Sequence, residues 1–229
     1  MTFKGIIFDF NGVLLWDAHL HELAWQHSAR ELRGTEFTPD EFLQHVHGRT
    51  NSHILGHLTG RAVEGKELHT LTQVKESFYR RLCLEQPEVF TLSPGTTELL
   101  DFLVMHDIPC TIATASERTN LDFFIRNLEL ERWFDTDPIV YDNGTFPGKP
   151  APDMYARAAA NLGLPPPECI VVEDAIAGFK SAQAAGIGHI VALGPRASHA
   201  RLAACEGVTA VIESFEHFPK TWLFTASSK

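Results

Sequence analysis

From Ile108 to Ile212 the chain carries five short apolar runs: Ile108 to Ala115, Pro138 to Tyr141, Cys169 to Val172, His189 to Leu193 and Ala210 to Ile212. Helix-patterned stretches separate several of them. One starts at Ser116 and carries Leu121, Phe124, Ile125 and Leu128; Asp153 to Leu162 stops at Gly163, and Ala175 to Ala185 stops at Gly186. Strands that alternate with helices pair in parallel, because a crossover helix brings the chain back to the same end of the sheet each time. The expected fold is therefore α/β and Rossmann-like, a mostly parallel sheet with helices on both faces. A sixth apolar run, Gly5-Ile6-Ile7-Phe8, stands far upstream and ends in Asp9-Phe10-Asn11-Gly12. It predicts a buried strand whose carboxyl end opens into the crevice where parallel sheets bind their ligands.

Between that first strand and the rest nothing alternates with period two. Asp17 is placed to cap a helix through Leu20, Leu23, Ala24 and Leu32, stopped by Gly34. Thr38-Pro39-Asp40-Glu41 reads as a capping box that opens a second helix. After a polar break at Gly48-Arg49-Thr50-Asn51, Leu68, Leu71, Val74, Phe78 and Leu82 recur at three- and four-residue steps as one face of a further helix. The domain reading is an α/β core from residues 1–15 and 90–229, with an all-helical cap inserted at 16–89.

The 229 residues, 44% of them hydrophobic, suffice for such a core. The net charge of -10 is spread along the chain, which argues against nucleic acid as a partner, so an anionic substrate has to be held by local positive charge or a metal. Asp9 interrupts the only early apolar run, and no segment reaches the roughly 18 apolar residues of a membrane helix. Four widely spaced cysteines without a CxxC pair favour reduced thiols over a disulfide framework or a structural zinc. The expectation is a cytoplasmic protein, monomeric or weakly dimeric.

The polar residues gather at strand ends. Asp9 and Asn11 follow the first strand, Thr114, Ala115 and Ser116 end the second, Gly148-Lys149-Pro150 precedes a helix, and Glu173-Asp174 ends Ile170-Val171-Val172. All four groups fall on the carboxyl side of the sheet, where one crevice would hold carboxylates, an ammonium and a hydroxyl. That set suits phosphoryl transfer. A carboxylate attacks phosphorus only when the phosphate charge is neutralised, here by Mg2+ between Asp9 and Asp174 and by Lys149. Magnesium takes an octahedron of oxygens, which two carboxylates, a backbone carbonyl and waters supply. Thr114 and the N–H groups after it suit the remaining phosphate oxygens.

With these residues in view, Asp-Phe-Asn-Gly, Thr-Ala-Ser, Gly-Lys-Pro-Ala-Pro-Asp and Val-Val-Glu-Asp-Ala-Ile-Ala-Gly stand in an order that resembles the haloacid dehalogenase superfamily. The resemblance is to its β-phosphoglucomutase and phosphohexose phosphatase branch with an α-helical cap, and it runs from Phe8 to the last strand. It implies that Asp9 is the nucleophile that becomes an aspartyl phosphate, and that Thr114 binds phosphate. It further implies that Lys149 steadies both, and that Glu173 and Asp174 are the acidic pair at Mg2+. The implied substrate is a small phosphorylated metabolite, a sugar phosphate foremost.

One position departs from the pattern. Two residues after the nucleophile, hydrolases and mutases of the family carry an Asp that protonates the leaving oxygen; here it is Asn11. An amide cannot relay a proton, whereas the family's metal contact at this position is a backbone carbonyl that Asn keeps. Three readings stand: proton transfer by another group such as His19, His21 or Asp17, a substrate with a better leaving group, or a binding protein that turns over slowly. A dehalogenating or phosphonate-cleaving relative is more remote, because dehalogenation leaves Glu173 and Asp174 unexplained. In the cap, Gly48-Arg49-Thr50 is similar to the loop with which caps of this branch meet substrate, so Arg49 is a candidate for a second phosphate or a sugar acid. Lys75 loosely matches a substrate-binding cap lysine, though a solvated helix charge is the plainer reading. His21 resembles a cap-linker histidine but equally suits a packed, hydrogen-bonded site. Trp16 replaces a common acidic residue at this entrance.

Overall fold

The computed structural model describes residues 2–46 and 49–223. Gly48, part of the predicted cap loop, lies outside them. The chain divides into two compact units, Met1–Trp16 with Thr91–Lys229, and Asp17–Phe90.

The first unit is built on six strands: β1 (Gly5–Phe8), β2 (Cys110–Glu117), β3 (Val140–Asp142), β4 (Cys169–Glu173), β5 (His189–Leu193) and β6 (Ala210–Ile212). Their order is β3-β2-β1-β4-β5-β6, and every pairing is parallel. The chain leaves β1 towards β2 and β3, then crosses back to β4, so the strand order reverses beside β1 and the crevice at its carboxyl end is the natural ligand site. Helices α5 (Thr96–Met105), α6 (Arg118–Asn127), α7 (Asp153–Asn161), α8 (Ile176–Ala184) and α9 (His199–Ala203) follow in turn. Their apolar sides explain why Ile6, Ile7 and Phe8 lack any polar alternation: all three are fully buried. One core cluster joins Ile7, Ala113 and Val171 to Met154, Tyr155 and Phe179 of α7 and α8. After β1 the chain turns back on itself, with Leu15 N donating to Phe10 O at 3.1 Å, and the Ser93 hydroxyl donates to Val13 O at 2.7 Å where the chain re-enters this unit.

The predicted helix start at Ser116 is corrected. β2 continues to Glu117, which pairs with Asp142 after an irregularity, and α6 begins at Arg118. The reason is local: the Ser116 N–H is taken by Thr114 Oγ1 at 3.1 Å, a side-chain turn that competes with helix.

On the far side of the sheet from the crevice, the His189 ring stacks on Phe3 at 4.9 Å and hydrogen bonds Thr209 through Nδ1 at 2.8 Å. Its buried Nε2 has no partner among the described residues. Burial holds its pKa below the ordinary value of 6.5. The unfolded chain therefore takes up this proton first, so the site's contribution to stability is full above 6.5 and falls as the pH drops through that value. His189→Leu should flatten that part of a urea-midpoint-against-pH curve; an unchanged slope would count against a neutral buried ring.

The second unit is helical: α1 (Ala18–Arg33), α2 (Pro39–His45), α3 (Asn51–Thr59) and α4 (Gly65–Glu85). Its core gathers Trp25, Ala29, Phe37, Phe42, Ile54, Leu55 and Leu58. Gly34 ends α1 in the left-handed conformation at φ 79°, and the capping box of α2 is complete, with Glu41 N on Thr38 Oγ1 at 3.2 Å and Thr38 N on Glu41 Oε2 at 3.3 Å. Glu41 also binds Arg33 and His57 and is held at a pKa of about 2, chiefly by the Arg33 hydrogen bond. Two expectations change. Asp17 occupies the N-cap position of α1 without capping it, because its carboxylate is taken by the Tyr79 hydroxyl and by His21 Nε2 at 3.2 Å. On α4 the predicted stripe is buried in part: Leu82 is buried and Leu68 and Leu71 pack against the helical core, but Val74 is 56% exposed, and Thr72, Lys75, Glu76 and Tyr79 are buried as well. Polar side chains are stable there because they satisfy one another. No helix among the described residues is long and apolar enough to cross a membrane.

Candidate active site

The crevice residues of the core unit sit where the ends of β1, β2 and β4 meet. Asp9 follows β1, its N–H donating to Val172 O at 3.0 Å, and only 9% of its surface is exposed. Lys149, on the loop before α7, donates from Nζ to Asp9 Oδ1 and to Glu173 Oε1, each at 2.7 Å. One ammonium thus bridges two buried carboxylates. Burial works against the Lys149 charge, but Asp9 and Glu173 outweigh it and raise its pKa. Asp9 goes up as well, to about 7: burial is the main cause, the Lys149 charge opposes it, and Glu173 adds repulsion.

Glu173 is anchored on every side. Oε1 also accepts the Tyr155 hydroxyl at 3.0 Å, and Oε2 accepts the N–H groups of Asp174 and Ala175 at 2.7 and 2.8 Å. With four partners beyond its own backbone, it holds Lys149 in place and fixes the turn that presents Asp174. The glycines make room for this. A Cβ on Gly178 would lie 1.7 Å from Glu173 Oε1, and one on Gly12, at φ 81°, would lie 2.1 Å from Asp174 Oδ2. Side-chain oxygens of Asp9, Glu173 and Asp174 lie within 4.8 Å of one another. Asp174 has open surface, yet its carboxylate is desolvated, and that together with repulsion from Glu173 and Asp9 raises its pKa well above the ordinary value. Three carboxylates against one ammonium leave a deficit of positive charge, and hard oxygen donors at this spacing suit a divalent cation such as Mg2+.

Thr114 is buried, and its Oγ1, already an acceptor for Ser116 N–H, retains its own proton to donate. Ala115 is exposed. The Ser116 hydroxyl donates to Asn11 Oδ1 at 2.8 Å. The structure therefore links Asp9, Lys149, Glu173 and Asp174 in one set, and joins Asn11 to Ser116 across the ends of β1 and β2. Arg49, His21 and Lys75 belong to the helical unit. There Arg49 is exposed, with Nε on Gln44 O at 3.2 Å. Lys75 is not a solvated charge: it is 2% exposed, bound to Glu76 Oε1 at 2.9 Å and His21 Nδ1 at 2.8 Å, and faces the rings of Trp25 and Tyr79. His21 is stacked on Tyr79 at 4.0 Å. Three contributors escaped the sequence reading: Tyr155, Gly178 and the side-chain role of Ser116. Only the Gly in Val-Val-Glu-Asp-Ala-Ile-Ala-Gly carried a signal for any of them.

A parallel-sheet crevice thus carries a lysine-bridged carboxylate beside β1 and an acidic turn after β4. Residues 3–186 match the haloacid dehalogenase-like hydrolases, and the chain belongs to that family. It is 32% identical to hexitol phosphatase A of Escherichia coli over 96% of this chain and 95% of that protein. To β-phosphoglucomutase of Bacillus subtilis it is 29% identical, over 80% of each. A HAD hydrolase of family IA, variant 3, from Entamoeba histolytica superposes with a TM-score of 0.90 at 34% identity, covering 96% of this chain and 97% of that one. The protein is thus an enzyme whose relatives are phosphatases and phosphomutases of phosphorylated carbohydrates.

Proposed function

We propose that the core unit transfers a phosphoryl group from a small phosphorylated metabolite, a sugar phosphate foremost, to Asp9 and then to water or a hydroxyl, with Mg2+ bound. The observation that carries this reading is Lys149, held between Asp9 and Glu173 at 2.7 Å from each. It opposes the burial that raises the Asp9 pKa and puts a positive charge where phosphate oxygens arrive. Asp9, Asp174 and the Asn11 backbone carbonyl are the ligands assigned to Mg2+, which when bound neutralises phosphate charge so that an anion can attack it. Asp9 attacks phosphorus, while Thr114 and the N–H groups of Ala115 and Ser116 bind the other phosphate oxygens. Glu173 orients Lys149 and the Asp174 turn. In the helical unit, Arg49 is assigned to a second anionic or sugar group of the substrate, whereas Lys75, 2% exposed and bound to Glu76 and His21, is assigned to holding that unit together.

Phosphate release from a panel of sugar phosphates and other phosphomonoesters, with and without Mg2+, tests the reading. Release that needs Mg2+ supports it, and silence across the panel contradicts it. Metal binding has a separate signature. At about 100 times its dissociation constant, Mg2+ should stabilise the protein by about 2.7 kcal/mol. That corresponds to a Tm rise of roughly 5–10 °C in a chain of this size. The rise should be larger above pH 7 than below it, because Mg2+ must displace protons from carboxyls whose pKa burial has raised. Asp174→Asn should remove most of it; a Tm that ignores Mg2+ would speak against the assigned ligands.

A further inference from the structure

In the second unit, α2, α3 and the turn before α2 bring four rings into one column. Phe37 and His57 lie nearly parallel at 6.1 Å, His57 and His45 face each other at 3.9 Å, and His53 follows His45 at 6.0 Å, with interplanar angles of 15°, 8° and 16°. Beside His57 stands a carboxylate. Glu41, ionised at a pKa of about 2, accepts from Arg33 Nη2 at 2.8 Å and from His57 Nε2 at 2.5 Å. At the His53 end an arginine and histidines recur. His53 is exposed in the first turn of α3, where the helix dipole adds positive potential, and exposed Arg49 lies just before the Thr50 cap, its Nε on Gln44 O at 3.2 Å, one residue from His45. Among the described residues no Asp or Glu forms an ion pair with Arg49, His45 or His53.

The half-buried His45 ring takes a proton less readily than an ordinary histidine. Burial is the first cause, and His57, His53 and Arg49 add repulsion that Glu41 opposes. Arg33 of α1 is paired with Glu41, α4 packs on this core through Leu68 and Leu71, and His47 lies outside the described residues. A proton on His45 meets like charge at Arg49, so an anion bound at Arg49 stabilises that proton and the proton stabilises the anion.

We propose that Arg49, His53 and His45 form a subsite for a carboxylate whose binding is coupled to proton uptake, so that the enzyme takes phosphorylated sugar acids ahead of the matching sugar alcohols, increasingly so in mild acid. A carboxylate is the anion because the other end of the same column already holds one between an arginine and a histidine, and a guanidinium fork matches its plane. The inference rests on the assignment of Arg49 to a second group of the substrate. His45 is mostly neutral at pH 7 without the anion, and a bound carboxylate raises its pKa. Binding therefore takes up a proton, and affinity grows as the pH falls through the ordinary value of 6.5.

The test pairs gluconate 6-phosphate with glucitol 6-phosphate, which differ only in a terminal carboxylate against a hydroxymethyl group, so titration of the shared phosphate cancels in their ratio. With Mg2+, the ratio of kcat/KM for the acid to that for the alcohol should rise about 5-fold or more from about pH 7.5 to about pH 5.5. Arg49→Gln should lower the ratio by about 10-fold at either pH. His45→Gln with His53→Gln should remove the rise in acid, and His53→Gln alone, at an exposed ring, should remove part of it with the rest of the column in place. Calorimetry on Asp9→Asn reads binding without turnover. There the acid should take up protons that the alcohol does not, seen as a binding heat that changes with the ionisation enthalpy of the buffer, and the double histidine change should abolish the difference. A ratio indifferent to pH, a rise that persists in the double variant, or equal proton uptake for both ligands overturns the inference and leaves phosphoryl transfer intact. Release that survives Asp9→Asn overturns the transfer reading and leaves the calorimetric difference standing.

Discussion

Asp9→Asn should lower phosphate release by at least about 10⁴-fold while leaving the fold in place. The amide matches the carboxylate in shape, and its oxygen still accepts from Lys149, which lies 2.7 Å from Asp9 Oδ1. Stability should change little, because the native carboxyl is already costly to ionise: burial raises its pKa to about 7. An amide oxygen is a poor nucleophile and forms no acyl phosphate, so the loss falls on chemistry. Steady-state release with Mg2+, read beside Tm, separates the two effects. A variant that keeps even a tenth of the activity would remove Asp9 from its assigned role.

Lys149→Ala should be costly twice over. Lys149, Asp9 and Glu173 have side chains only 9%, 12% and 1% exposed, so the ion pairs are little screened and removing the ammonium strands two buried carboxylates. Breaking a buried pair in this way costs about 3–5 kcal/mol, or a Tm loss of roughly 10 °C. Burial already raises the Asp9 pKa, and the variant loses the Lys149 charge that opposes the rise. The Asp9 penalty is therefore absent at low pH and grows as the pH rises through the raised value, so the Tm deficit should shrink in acid. Turnover should fall a further 10²- to 10³-fold, roughly the cost of losing one charge aimed at the transition state. A Tm within a degree or so of wild type at neutral pH would contradict the bridging role. Circular dichroism melts across pH measure this directly.

Much of the core was legible because its signals are local and repeated. Apolar runs broken by glycine-stopped helices force parallel pairing; Asp9 and Asp174 follow such runs, and Lys149 precedes a helix. What stayed hidden depends on contacts between distant parts of the chain. Glu173 reads as half of an acidic pair, but its side chain holds two side chains and two backbone N–H groups, and no period or spacing marks Tyr155 of α7 as one of these partners. On α4 the hydrophobic stripe failed at Val74 and left out the polar part of the buried face, where Lys75 and Glu76 satisfy each other and His21 satisfies Lys75 from α1. Side-chain pairing across helices overrode the apolar pattern. The start of α6 moved for the same kind of reason, with the Thr114 hydroxyl taking the N–H that a helix would have used.

Asn11 joins sequence and chemistry most closely. Its replacement of a carboxyl is visible in ten residues of sequence, but its contact with the Ser116 hydroxyl is visible only in the fold. On the proposed transfer through Asp9, the phosphorylated enzyme should be present after rapid mixing.

Trapping that species tests the central claim most directly. Wild-type protein would be mixed with Mg2+ and an aryl or anomeric phosphate, quenched in acid within the first turnover, and digested for peptide mass analysis. A phosphoryl group on the peptide that contains Asp9, absent from Asp9→Asn, is the predicted result. Phosphate release with no phosphoryl group on Asp9 at any quench time would contradict transfer through an aspartyl phosphate.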